Sequence, residues 1–439
     1  MNSSPRRNSW QGVISTATSC LPWFERRSRS REGKLIQDGD KKASFARPIW
    51  DRGDPIDEQM MRFTIGDDWL QDRRLVELDI EGSLAHVDGL LRAELVEEDD
   101  YRAIVGGLHE LLAEFRAGDW TVESTDEDVH SAVERRLIVK IGPAGKRLHT
   151  GRSRNDQIAL DLRLWLRQAS IQTKDLVGQL CGELRRLVAR NPTLPLPGYT
   201  HLRRAMPSNV RLWGEAHAGA LEESLSAFMP LSVRLRRCPL GSGAGYGVDL
   251  DLDRHGVALA LGFEGPEEPV TLTQNTRGRA ELTYLTALES IALDLAKLAS
   301  DLWLFTSEEF GFARLPNELT TGSSMMPQKR NPDVVELLRA HMRQVVAERS
   351  ELMNVQRDLP SGYHRDFQLI KAPLFRAHDR MLSSLAITVR VIAGLTFVES
   401  RLKEVSADPG LLATQRALER VKEGVAFRDA YRVETADKG

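Results

Sequence analysis

The chain has 439 residues, 41% of them hydrophobic and 28% charged, with a formal net charge of -3. That length exceeds one ordinary core and suggests two or three domains, while the near-balanced charge removes any general attraction to nucleic acid or an anionic membrane. Three cysteines, Cys20, Cys181 and Cys238, stand far apart, so neither a disulfide framework nor a zinc site is expected, a reducing cytoplasmic setting fits, and no apolar run reaches spanning length.

Residues 1–46 are unlike the rest. Ser and Arg dominate, as in Arg26-Arg27-Ser28-Arg29-Ser30-Arg31, and core-forming residues are few. A disordered extension, a transit-type peptide and a start codon set too early all explain such a segment. The acids Glu25, Glu32, Asp38 and Asp40 weigh against a transit peptide, so a disordered or artefactual extension is expected. From Ile49 the pattern turns helical: Leu75, Leu78, Ile80, Leu84, Leu90 and Leu91 recur at helix-like spacing, and residues 101–115 repeat it. Asp126-Glu127-Asp128 open a third helix, where acids suit the dipole. His130 and Glu134, four apart, share one face of it. In His149-Thr150-Gly151-Arg152-Ser153-Arg154-Asn155-Asp156, Gly151 breaks the pattern. Ser153 or Asn155 can cap the next helix, and the arginines can hold a carboxylate bidentately or simply line a capped turn.

The helix over residues 156–188 spans roughly 50 Å and needs long neighbours, which the pattern supplies at 210–233, 280–305, 334–353 and 377–395. That predicts an all-α chain with a central up-and-down helical bundle. The connector at 195–207 is a loop by its prolines and Gly198. It carries His201, a group that titrates near neutrality and can pass a proton. The glycine-rich residues 238–248 lack a following Lys-Ser/Thr and a strand–helix setting, so they predict close backbone packing rather than a phosphate site. Next comes Gly322-Ser323-Ser324-Met325-Met326-Pro327-Gln328-Lys329-Arg330-Asn331-Pro332-Asp333. It reads as a mobile loop running into a helix, with Gly322 free to take unusual backbone angles, Asn331 as N-cap and Pro332 at the first helical position. Hydroxyls, cations and a helix N-terminus there suit an anion held beside a reactive oxygen.

That string resembles the Gly-Ser-Ser-x-Met-Pro-x-Lys-x-Asn-Pro signature of the fumarase/aspartase superfamily, without a gap, and its Gln-Lys-Arg-Asn-Pro-Asp ending is most similar to the argininosuccinate lyases. The resemblance runs from about residue 47 to the end. It implies an all-α, three-domain fold: an N-terminal helical domain over 47–152, the bundle over 153–401, and a C-terminal helical domain over 402–439 that is short for the family. It further implies β-elimination of argininosuccinate to arginine and fumarate, the last step of arginine biosynthesis, with no metal or cofactor. It also implies a homotetramer whose sites are shared between three subunits.

The difficult step removes a weakly acidic proton beside a carboxylate, which needs a base, cations and amide dipoles for the developing charge, and an acid for the leaving nitrogen. By resemblance Ser323 is the base, with Lys329 and backbone amides steadying its anion. His201, oriented by Glu336, is the acid or a relay to it. Arg152, Ser153, Arg154, Asn155, Lys329 and Asn331 hold carboxylates, Thr200 belongs to a second signature, and Tyr363, Gln368 and Lys371 bind further substrate groups. His130 orients substrate, and Asp72 holds the family's aspartate position. Arg277 also contacts substrate, although Gly278 replaces the acid usual after it. Asp68 stands where a substrate-contacting serine is usual, and residues 363–371 are a variant of the family's loop. Adenylosuccinate lyase, or a non-catalytic structural relative, is the alternative; residues 149–156 and 328–333 favour the arginine enzyme.

Overall fold

Helices with buried apolar stripes make up the computed structural model, which describes residues 57–436. The extension expected over residues 1–46 lies outside them. After short helices at Glu58–Ile65 and Asp68–Asp72 come α1 (Val76–Arg92), α2 (Glu98–Ala117) and α3 (Val129–Ile141), packed α1 on α2 and α2 on α3. Gly118 ends α2 at φ 84°, a left-handed stop that glycine adopts without steric cost. The Asp128 carboxylate caps α3 by accepting from Ser131 N at 2.8 Å. The three acids at 126–128 thus lie ahead of the helix, not in its first turn, which corrects the dipole reading.

The bundle follows. Helix α4 (Arg154–Arg190) has 37 residues, about 55 Å at 1.5 Å per residue. With it stand α5 (Val210–Ser224), α6 (Arg279–Phe305), α7 (Asp333–Val355) and α8 (Lys371–Gly394). Each packs on the next, and α8 packs back on α4, so the five enclose a common core. Leu162, Leu166, Val177, Leu180 and Leu184 of α4 meet Tyr284, Leu288, Ile291 and Leu295 of α6 there. Val335, Leu338 and Val345 of α7 and Phe375 and Leu385 of α8 complete it. Burying each such side chain contributes about 1.5–3 kcal/mol, far more than local propensity, so packing of these stripes holds the helices. Beyond α8 lie short helices at Glu399–Ser406, Ala413–Lys422 and Phe427–Ala436.

Several predicted boundaries move, each for a local reason. The helix expected over 210–233 stops at Ser224; a 3₁₀ turn spans Leu225–Phe228 and a short helix resumes at Met229 with Pro230 in its first turn. Proline is tolerated there because no intrahelical acceptor awaits its missing N–H. Helix α8 begins at Lys371, ahead of the expected 377, with Pro373 again in the first turn. The connector at 195–207 is a hairpin, β1 (Gly198–Thr200) antiparallel to β2 (Arg203–Met206). The central loop is clamped at its base, β3 (Thr321–Gly322) pairing with β4 (Arg330–Asn331). Gly322 is therefore a strand residue and takes no left-handed angle. Asn331 also pairs in that ladder, Pro332 takes the N-cap position of α7, and the Thr321 hydroxyl donates to Asp333 at the helix start. No helix among the described residues is long and apolar enough to cross a membrane.

Candidate active site

The start of α4, the segment before α3 and the loop leading into α8 line a cleft of about 120 Å³. Asp72, His130, Arg154, Asn155, Arg277, Tyr363, Gln368 and Lys371, all singled out from the sequence, line it. Asp68, Glu127, Asp128, Ile158, Arg365 and Phe367 complete the wall.

Its inner end is a buried charge triad. Lys371 Nζ lies 2.7 Å from Asp68 Oδ2 and 2.5 Å from Asp72 Oδ1. Burial alone lowers the pKa of Lys371, but the two carboxylates outweigh it and raise it. Burial pushes Asp68 up to about 7, against the pull of Lys371. The other oxygen of Asp72 accepts from Val129 N at 3.0 Å, at the first residue of α3. Both oxygens of Asp72 are thus engaged within the protein, and the residue holds the wall together. Gln368 is engaged in the same sense. Its amide donates to Thr64 O and Ile65 O, both at 3.0 Å, and its Oε1 accepts from Arg365 Nε at 3.2 Å. It fastens the loop before α8 to the helix Glu58–Ile65.

On the opposite wall Arg154 donates to Asp128 at 2.7 Å and to Glu127 at 2.8 Å. Burial works to raise Asp128, yet His130, Arg154 and the Ser131 amide hold it down at about 2. Arg277 donates to the Asn155 carbonyl at 3.1 Å, and its buried Nε has no partner among the described residues.

His130 is the most strongly set group. Its Nδ1 lies 2.6 Å from Asp79 Oδ1, with Asp161 Oδ2 at 3.9 Å. Burial pushes the imidazole down, but Asp79, with Asp128 and Asp161 behind it, brings it up to about 9. The ring is a cation whose Nε2 is buried without a partner among the described residues, so it has an N–H to offer an anion in the cleft. Glu134, on the same helix, approaches His149 rather than His130, at 4.0 Å. Asp79, His130 and Asp161 bring their ligand atoms within 4.8 Å of one another, a buried cluster in which the carboxylates favour the charged form of the ring.

A pH dependence follows. A histidine raised from 6.5 to about 9 in the folded chain stabilises fully below the lower value, and that contribution is lost as pH rises through the upper one. Thermal denaturation midpoints should fall across that window in the wild type. In His130→Gln the fall should be absent; an identical slope in both proteins removes this role.

Other predicted residues stand outside the cleft wall. Ser153 caps α4 in a reciprocal box with Asp156, its own N–H donating to Asp156 at 3.0 Å. Arg152 turns back to donate to Ser83 Oγ at 2.9 Å. Both side chains thus bond within this chain. The other Asp156 oxygen accepts from Gly241 N and Gly243 N at 3.0 and 2.8 Å, pinning the glycine-rich turn onto α4. Gly241 and Gly243 take φ of 82° and 60° there, so the turn does serve close backbone approach.

Ser323 opens the clamped loop, and its Oγ accepts from Met325 N at 3.2 Å and Met326 N at 3.1 Å. Lys329, on the same loop, is exposed, and Asn331 follows in β4. Thr200 and His201 are exposed at the β1–β2 hairpin. His201 and Leu202 form its two-residue tip at φ 52° and 55°, a left-handed pair costing about 1–2 kcal/mol per residue without glycine. Glu336 accepts from Trp303 Nε1 at 3.2 Å, with Arg339 stacked 4.6 Å from that ring. No His201–Glu336 bond occurs among the described residues. One chain therefore gathers most of the binding groups and leaves Ser323, Lys329, His201 and Glu336 on surfaces outside the cleft wall.

A sequence family described as a lyase matches residues 51–347. An argininosuccinate lyase of Sorangium cellulosum is 42% identical over 389 residues, covering 89% of this chain and 90% of that protein. One of Thermotoga neapolitana is 39% identical, over 88% and 96% of the two chains. Among solved structures, an EDDS lyase variant with bound fumarate matches with a TM-score of 0.74 at 21% identity, over 88% of this chain and 76% of its own. A fumarate lyase:delta crystallin from Brucella melitensis bound to cobalt matches with 0.71 at 20% identity, over 82% and 83%. At those identities the likeness is one of fold.

Proposed function

The chain belongs to the argininosuccinate lyase family of the fumarase/aspartase superfamily, and from that premise we propose that it eliminates fumarate from argininosuccinate and releases arginine. The state of Ser323 carries the residue-level reading. An ordinary serine is far too weak a base, but two main-chain N–H groups already point at this Oγ, and they stabilise negative charge on it. Ser323 takes the proton from the carbon beside a succinyl carboxylate. The electron pair left behind forms the double bond of fumarate as the carbon–nitrogen bond breaks. His201, oriented by Glu336, protonates the departing guanidino nitrogen. Lys329, the His130 N–H and Asn155 hold the carboxylates.

The separation of Ser323, Lys329, His201 and Glu336 from the cleft wall of their own chain supports a shared site. Copies of the chain bring them to one another's clefts, in a homotetramer with three subunits at each site. The three-domain division at 47–152, 153–401 and 402–439 and a cytoplasmic setting belong to the same reading. The decisive experiment follows fumarate absorbance with argininosuccinate and with adenylosuccinate, at falling protein concentration. Argininosuccinate alone should be consumed, with specific activity lost as the assembly dissociates. Turnover of adenylosuccinate alone rejects the substrate, and undiminished activity of a monomer rejects the shared site.

A further inference from the structure

The β1–β2 hairpin carries His201 at its tip and is fastened unevenly. Its base is fixed to the bundle: Leu196 N donates to Ser208 O at 3.1 Å, and Val210 N, at the start of α5, donates to Leu194 O at 3.0 Å. On β1 the Tyr199 ring packs 5.5 Å from that of Phe310 and 6.2 Å from that of Phe312. The tip lies beyond these supports. His201 and Leu202 are exposed there, both in the left-handed region, which residues other than glycine hold only where their surroundings enforce it.

A lateral tie reaches the strand that leaves the tip. Arg204 Nη1 donates to Asp408 Oδ2 at 3.0 Å. Asp408 is itself fixed, because its Oδ1 accepts from Gly410 N at 2.8 Å and caps the 3₁₀ turn Pro409–Leu412, against which β2 packs. One carboxylate thus joins the turn between the last short helices to a point two residues past Leu202. A short ladder alone makes a marginal hairpin in water, so a tie this near the tip governs where the imidazole stands.

We propose that Asp408 is a positioning residue for His201: through Arg204 it holds the hairpin in the orientation that presents the imidazole to the departing nitrogen, and so couples the C-terminal helices to that proton transfer. This rests on the reading of His201 as the acid.

The test uses the full chain in its assembled state. Steady-state kcat and KM for argininosuccinate are compared in the wild type, in Asp408→Ser, which keeps an oxygen to cap the 3₁₀ turn, in Arg204→Gln, and in both changes together. Each single change should lower kcat by about 3- to 10-fold, between the worth of an exposed ion pair and that of a charged hydrogen bond, while KM moves by less than about twofold. The double variant should lose no more than either single one, and amide hydrogen exchange over residues 199–204 should quicken in all three. The charge swap Arg204→Asp with Asp408→Arg should recover part of kcat. Wild-type kcat in a folded Asp408→Ser overturns the assignment, as do losses that multiply in the double variant, and Arg204→Gln reads the same effect if the serine variant does not fold. His201→Gln separates the two readings. If it turns over at the wild-type rate, His201 is not the acid and the functional reading falls with the tie; if it is crippled while Asp408→Ser is unimpaired, only the tie is rejected.

Discussion

Replacing Ser323 by alanine should lower fumarate release by roughly 10²–10⁴-fold, the usual contribution of a positioned proton acceptor. Chain stability should hardly change. Among the described residues the Ser323 hydroxyl bonds only to amides of its own loop, contacts that contribute about 0.5–1.5 kcal/mol net where buried and less at a half-exposed position. The contrast gives the prediction its force: melting midpoint and assembly are retained while turnover is lost. Turnover at the wild-type rate would remove Ser323 from the mechanism, whatever the fold.

Lys371→Met should do the reverse and damage the fold first. The ammonium lies between Asp68 and Asp72, with side chains 10% and 0% exposed. Without it two carboxylates share a dry site. Deleting one member of a buried ionic cluster costs about 3–5 kcal/mol, part of which the acids recover by taking up a proton. The denaturant midpoint should therefore fall sharply at neutral pH and recover partly on acidification. Adding Asp68→Asn and Asp72→Asn should restore stability without restoring turnover. A Lys371→Met protein as stable as wild type would mean that the acids do not depend on the lysine.

The helices were legible because their apolar spacing is local. Residues 280–305 and 334–353 matched α6 and α7 within two residues at each end, and Ser153 did cap α4. The hairpin around His201 was not legible, because its tip lacks the glycine or asparagine that announces such a turn. His130 was read against Glu134, its neighbour on the helix, whereas its partner Asp79 lies 51 residues away on α1. Gln368 reaches Thr64 across 304 residues. Periodicity carries no information about such pairs, so the bonds made by Asp72, Gln368, Arg152 and Ser153 were not readable from it. Arg365 gave a missed signal: it stands three residues before Gln368 and binds its amide oxygen.

The ladder joining Thr321–Gly322 to Arg330–Asn331 settles how far each part of the intervening segment can travel. A chain extends by about 3.3–3.6 Å per residue. Ser323 adjoins the anchored Gly322, so its Cα stays about 3.8 Å from a fixed point. Met326 and Pro327, midway along, have a tether several times longer. The segment is therefore held like a tent flap pegged along one hem: its outer edge has a long tether, while the hydroxyl at the peg keeps its station.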